Sequence, residues 1–291
     1  MPHPDKAVTS TLPDTDLPFL LLSGLALLFV IWLLARPWLV EKHRARLRGQ
    51  PFPAEWRRIL QHRVPYVAGL PVQLQLQLKQ HIQIFLAEKP FLACGGLLLT
   101  QEMRVVIAAQ ACLLILNRPP TYFPNLRQIL VYPGPFLVNR VRADSTGILQ
   151  DLRQVLAGES WSQGQVILSW EDVLDGAADP ADGRNVVVHE FAHQLDQETG
   201  QANGAPQLGS RAARSRWLKI FSEEFARLQQ RAETEETGQG FLLSNYGATS
   251  PAEFFAVASE VFFELPQRMA QEHAALYQEL RRFYCVDPLT W

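Results

Sequence analysis

His189-Glu190-Phe191-Ala192-His193 is the stretch that decides how this chain is read. The two histidines stand four residues apart, directly after the apolar run Val186-Val187-Val188. On a helix that spacing puts both imidazoles on one face, about a turn apart, where they reach a single metal ion. Neutral imidazole is a preferred zinc ligand, and zinc accepts the tetrahedral arrangement that such a pair begins. Glu190 projects beside them without being a ligand, which is where a base for an activated water has to sit. With seven histidines in 291 residues, chance alone rarely produces the pattern. Asn185 is a fitting N-cap and Gly200 a fitting stop, so the expected helix covers 185–199.

Two histidines alone hold a catalytic zinc weakly, and a third protein ligand is expected. Downstream candidates are Asp196, Glu253, Glu260, Glu264 and His273. Asp196 has a short side chain and a large axial offset, which favours a neighbouring contact over ligation. His273 lies in a polar stretch and reads as solvated. Glu253 and Glu260 are seven residues apart on a predicted helix, Pro251–Glu264, otherwise dominated by Phe254, Phe255, Val257, Phe262 and Phe263. Acids on so apolar a helix need partners if buried. One as metal ligand and the other hydrogen-bonded to a ligand histidine would satisfy both. A Glu260 that simply faces water is the equal alternative, and spacing alone leaves the choice open.

Bulk properties narrow the class. A net charge of -2 gives no pull toward nucleic acid, so no direct nucleic-acid binding is expected. Cys94, Cys112 and Cys285 lie far apart with no C-x-x-C pair. That sparse, odd set argues against a disulfide framework and a cysteine-ligated zinc, and for a reducing compartment.

The N-terminus carries a different signal. Residues 17–35 are apolar and free of charge. As a helix they span roughly 28 Å, close to the hydrocarbon core of a bilayer. Arg36, Lys42, Arg44, Arg46 and Arg48 follow; Asp5, Asp14 and Asp16 precede, with Lys6 alone opposing them. The positive-inside rule then predicts a short extracytoplasmic segment, 1–16, one transmembrane helix, 17–35, and a basic juxtamembrane linker, 36–51. It predicts that 52–291 faces the cytoplasm, on a single-pass protein of the inner (cytoplasmic) membrane. A cleaved signal peptide would want a basic leader and a small-x-small site, and neither is present.

Elsewhere, apolar periodicity predicts helices over 71–89, 100–117, 211–231 and 267–284, with a surface loop at 232–240. The run 105–116 is too short to span a membrane and reads as a core helix. Gln128–Tyr132 and 165–170 read as short strands. The second is placed as a sheet edge on which an extended peptide pairs. Helices with a few strands give an α+β fold, helix-rich with a small sheet.

The combination His-Glu-Phe-Ala-His-Gln-Leu-Asp (189–196) with Ser-Asn-Tyr-Gly-Ala-Thr-Ser-Pro-Ala-Glu-Phe-Phe-Ala-Val (244–257) resembles the Mlc titration factor A family of bacterial zinc peptidases. Segments 89–98, 107–112 and 131–133 resemble it too, so the likeness runs over about 52–285. The metal-site region is similar in turn to the catalytic domain of anthrax lethal factor. The resemblance implies a zincin-like metallopeptidase domain, 52–291, in which His189, His193 and Glu253 hold one zinc ion. It implies Glu190 as general base, and Tyr246 facing the attacking water as a donor to the developing oxyanion. The implied activity is aminopeptidase-like cleavage of peptide or protein substrates. The implied alternative is a regulatory protein that binds a transcriptional repressor, with the metal site secondary. The anchor ahead of the domain departs from the soluble founding members and puts the repressor partner in doubt.

Overall fold

The computed structural model describes residues 16–119, 121–143, 149–156, 158–161, 164–234 and 241–291. It divides into two compact units, Met1–Gln50 and Pro51–Trp291. The predicted segment 1–16 lies outside the described residues except for Asp16, as does 235–240 of the predicted loop.

In the first unit, one helix, α1 (Asp16–Arg48), runs for 33 residues. It continues straight through the basic stretch expected to be a linker, because Arg, Lys, Leu and Glu there are good helix formers. Its large apolar side chains from Phe19 to Val40 are exposed. The helix is long and apolar enough to cross a membrane. Near the basic end, Arg36 lies 5.6 Å over the Trp32 ring and Lys42 4.7 Å over Trp38.

The second unit is helix-rich around a small sheet. Helices α2 (Ala54–Arg63), α3 (Val72–Glu88) and α4 (Gln101–Leu113) come first. Alternating Leu and Gln in α3 imitates a strand, but Leu78, Ile82 and Phe85 make one buried helical stripe. Thr100 caps α4, its hydroxyl accepting the Met103 N–H at 3.2 Å, and the 105–116 run is buried throughout. The helix ends at Leu113 and gives way to a turn, short of the predicted 117.

The strands are β1 (Phe91–Ala93), β2 (Gln128–Tyr132), β3 (Phe136–Ala143), β4 (Leu149–Leu156), β5 (Gly158–Trp161) and β6 (Gln165–Ser169). β3 and β4 form an antiparallel pair of their own. The other sheet has the order β1-β2-β6-β5, with β2 and β6 parallel over five residue pairs and β5 antiparallel to β6. This corrects the expectation for 165–170. β6 is an interior strand bonded on both sides, and β5 takes the edge, because the chain doubles back just before β6. Gly164 makes that return: its φ is +79°, and a Cβ there would meet the Asn125 carbonyl at 2.3 Å. Trp170 does not extend the strand. Ser169 caps a further helix, α5 (Trp170–Ala178), by accepting the Asp172 N–H at 3.3 Å.

Helix α6 (Val186–Asp196) carries the histidines and passes into a 3-10 turn, Gln197–Thr199, before Gly200. α7 (Arg211–Glu233) buries Trp217, Phe221 and Leu228 along one face. α8 (Pro251–Glu264) has the predicted bounds and packs directly on α6. The last predicted helix is two, α9 (Pro266–Glu272) and α10 (Ala274–Tyr284), broken at His273. Apart from α1, the core is aromatic: Phe85, Phe123 and Phe191 meet behind α6, while Trp217 stacks on Phe221 at 3.8 Å beside Phe254 and Phe255.

Candidate metal centre

Local capping sets both helices that build the site. Asn185 Oδ1 accepts the Val188 N–H at 3.0 Å and starts α6. Ser250 Oγ accepts the Glu253 N–H at 3.2 Å, and Pro251 opens α8 without an amide to satisfy. With these starts fixed, one turn of α6 brings the His189 and His193 rings to 4.9 Å between centroids.

Glu253 reaches them from α8. Its Oε2 lies 3.0 Å from His189 Nε2 and 3.3 Å from His193 Nε2. Two turns further along α8, Glu260 Oε1 lies 2.7 Å from His189 Nδ1. The second Glu260 oxygen accepts the Asn185 main-chain N–H at 2.6 Å. Glu260 is therefore buried and doubly bonded, not solvated. The two acids on one helix face take different positions: Glu253 beside both Nε2 atoms, Glu260 behind His189.

Electrostatics within the cluster are mutually consistent. Burial pushes the Glu253 carboxyl up, but bonds and charge from His189 and His193 prevail and hold it well below the usual carboxylate range. Burial disfavours charge on His189, yet Glu260, the bond to Glu253 and the Glu190 charge raise it well above the usual imidazole value. An acid-rich cluster of this kind calls for positive charge, which a proton or a cation supplies.

The donor set fits zinc. Two ligands on a tetrahedral ion with bonds of about 2.0–2.1 Å stand roughly 3.3 Å apart. The candidate ligand atoms of His189, His193 and Glu253 all lie within 4.8 Å of one another. Two imidazoles and one carboxylate are a known zinc hydrolase set.

The remaining candidates sort themselves by position. Glu190 is buried on α6 between the two histidines. Tyr246, in the 3-10 turn Asn245–Ala248, is 45% exposed, and its ring centroid is 5.9 Å from that of His189. Asp196 is fully buried but turns away, accepting the Gly204 N–H at 2.7 Å. His273 is not solvated as expected; its Nδ1 lies 2.8 Å from Glu224 Oε2 of α7, away from this cluster. Glu264 accepts from Asn185 Nδ2 at 3.0 Å. That link between Asn185 and the end of α8 has no signature in spacing, because it depends on how α6 and α8 pack.

The family described as glucose-regulated metallo-peptidase M90 matches residues 38–285. An uncharacterized protein of Synechocystis sp. is 41% identical over 266 residues, 91% of this chain and 95% of that protein. Mlc titration factor A of Klebsiella pneumoniae is 36% identical over 228 residues, 78% of this chain and 84% of the relative. The protein of that name from Yersinia pestis is 32% identical over 254 residues, 87% and 90% respectively.

Proposed function

Because this chain belongs to the glucose-regulated metallo-peptidase M90 family, we propose that it is a membrane-anchored zinc peptidase that hydrolyses peptide bonds in an aminopeptidase-like manner. The observation that carries the reading is the convergence of His189 Nε2, His193 Nε2 and Glu253 Oε2 from two capped helices. These three would hold the ion. When bound, zinc supplies a Lewis acid that lowers the pKa of a water toward neutrality and polarises the scissile carbonyl. Glu190 takes the proton of the attacking water and passes it to the leaving amine. The Tyr246 phenol donates to the oxyanion of the tetrahedral intermediate. Glu260, 2.7 Å from His189 Nδ1, would hold the ring so that Nε2 is left available to the ion. β5, at the sheet edge beside α6, offers backbone groups to an extended peptide.

Anchoring rests on α1 and its flanking charges, which favour a single pass through the inner membrane with 52–291 in the cytoplasm. A second reading draws on the relatives' printed name, Mlc titration factor A: this chain binds a transcriptional repressor and its metal site serves that surface.

Glu190→Gln tests the first reading against the second. The variant is expected to retain zinc while losing peptide hydrolysis by about a hundredfold or more. Activity in the parent should vanish with a chelator and return with zinc. Full hydrolysis by Glu190→Gln would overturn the catalytic assignment; hydrolysis absent from the zinc-loaded parent, with repressor capture intact, would favour the second reading.

A further inference from the structure

Asn185 spends every polar atom it has on the ground behind the metal centre. Its Oδ1 caps α6 through Val188 at 3.0 Å, and its Nδ2 donates to the Gly176 carbonyl at 3.2 Å and to Glu264 Oε1 at 3.0 Å. Its main-chain N–H meets Glu260 Oε2 at 2.6 Å. Glu260 thus accepts on both oxygens, from Asn185 and from His189 Nδ1. A carboxylate accepting from Nδ1–H fixes the imidazole in the tautomer whose Nε2 lone pair is available to a metal. The chain of contacts runs Glu264, Asn185, Glu260, His189, and it ties the end of α8 to the start of α6.

We propose that Asn185 and Glu264 are positioning residues for the metal centre, holding Glu260, and through it the His189 ring and tautomer, in the metal-binding arrangement. The proposal rests on the zinc reading given above and extends it past Glu260. Capping a helix would by itself need only one oxygen on residue 185, and Asp or Ser supplies that as well as Asn. What Asn adds is the amide nitrogen, and both of its bonds bind α6 to its neighbours rather than to itself. Burial pushes the Glu264 carboxyl up to about 8, with the charges of Asp182 and Glu260 adding to the effect.

Asn185→Asp separates positioning from capping. It keeps an equal cap, removes the donor, and sets a carboxyl against Glu264. Full-length protein is stripped of metal, and zinc affinity is measured by competition with a chromophoric chelator. Visible spectra of the cobalt-loaded protein report ligand geometry independently of turnover. Asn185→Asp is expected to weaken zinc binding roughly ten- to a hundredfold and to alter the cobalt spectrum. Glu264→Ala should weaken binding in the same direction, and Glu264→Gln, which keeps the oxygen that accepts from Asn185, should restore it. Should Asn185→Asp not fold, the Glu264 pair decides the matter alone. Wild-type affinity and spectrum in Asn185→Asp or in Glu264→Ala would overturn the proposal. A folded parent that takes up no zinc would sink the metal reading itself, a different result from a parent that binds and variants that do not differ.

Discussion

Glu264 lies where α8 ends, and burial raises its carboxyl from the ordinary 4.5 to about 8. Below about pH 4.5 folded and unfolded chains both hold this proton, so the group costs nothing. Between about 4.5 and 8 the unfolded chain releases the proton and the folded one retains it, so stability falls as pH rises. Above about 8 both forms are ionised and the slope ends. Urea unfolding at pH 5, 6.5 and 8 should show Glu264→Gln losing less stability across that window than the parent. An equal slope in both would mean that Glu264 titrates normally. At this scale the sequence exposed its chemistry unevenly. His189, His193 and Glu190 are readable from spacing within one helix. Glu253 and Glu260 were narrowed to one face of another, and the resemblance chose between them. The Asn185–Glu264 bond and the His273–Glu224 pair stayed hidden, since each joins residues on separate elements.

The loop between α6 and α7 shows how elements hold the candidate ligands in place. Asp196 at the end of α6 accepts the Gly204 N–H at 2.7 Å, and Trp217 of α7 donates to the Gly204 carbonyl at 2.8 Å. Gly204 has φ +74°, and a Cβ there would meet the Pro251 carbonyl at 2.4 Å, at the first turn of α8. That turn carries Glu253. Gly204→Ala should cost about 1–3 kcal/mol through strain and backbone collision. It should also weaken zinc binding by displacing Glu253, which chemical denaturation and chelator competition would check together. Unchanged zinc affinity in a destabilised variant would confine the effect to the loop. The capped helices α4, α6, α7 and α8, and α3 with its apolar stripe, were legible because local rules and burial agree. β1 and β5, three and four residues long, fall below what periodicity resolves. Strands β3 and β4 mix Arg, Asn, Gln and Asp with their apolar residues, which blurs the alternation. The swap of β6 for β5 at the edge was invisible for a related reason: strand order is set by pairing across the sheet, and no local pattern records it.

For the whole molecule, α1 makes the clearest demand. A single apolar helix in the bilayer should keep the protein with the membrane fraction through alkaline carbonate washing, and detergent should release it. Release by carbonate alone would mean a peripheral attachment. The division between Gln50 and Pro51 was close to legible, because charge-free apolar sequence and globular composition differ sharply. The helical state of the basic stretch was not, since Arg- and Lys-rich sequence reads equally as linker. That stretch has a mechanical consequence. At 1.5 Å per residue, 33 helical residues reach roughly 50 Å, while the hydrocarbon layer takes about 30 Å. Seated in a bilayer, α1 would carry roughly 20 Å of unbroken helix past the hydrocarbon layer, so Arg36, Lys42, Arg44, Arg46 and Arg48 would meet acidic headgroups along a rigid rod.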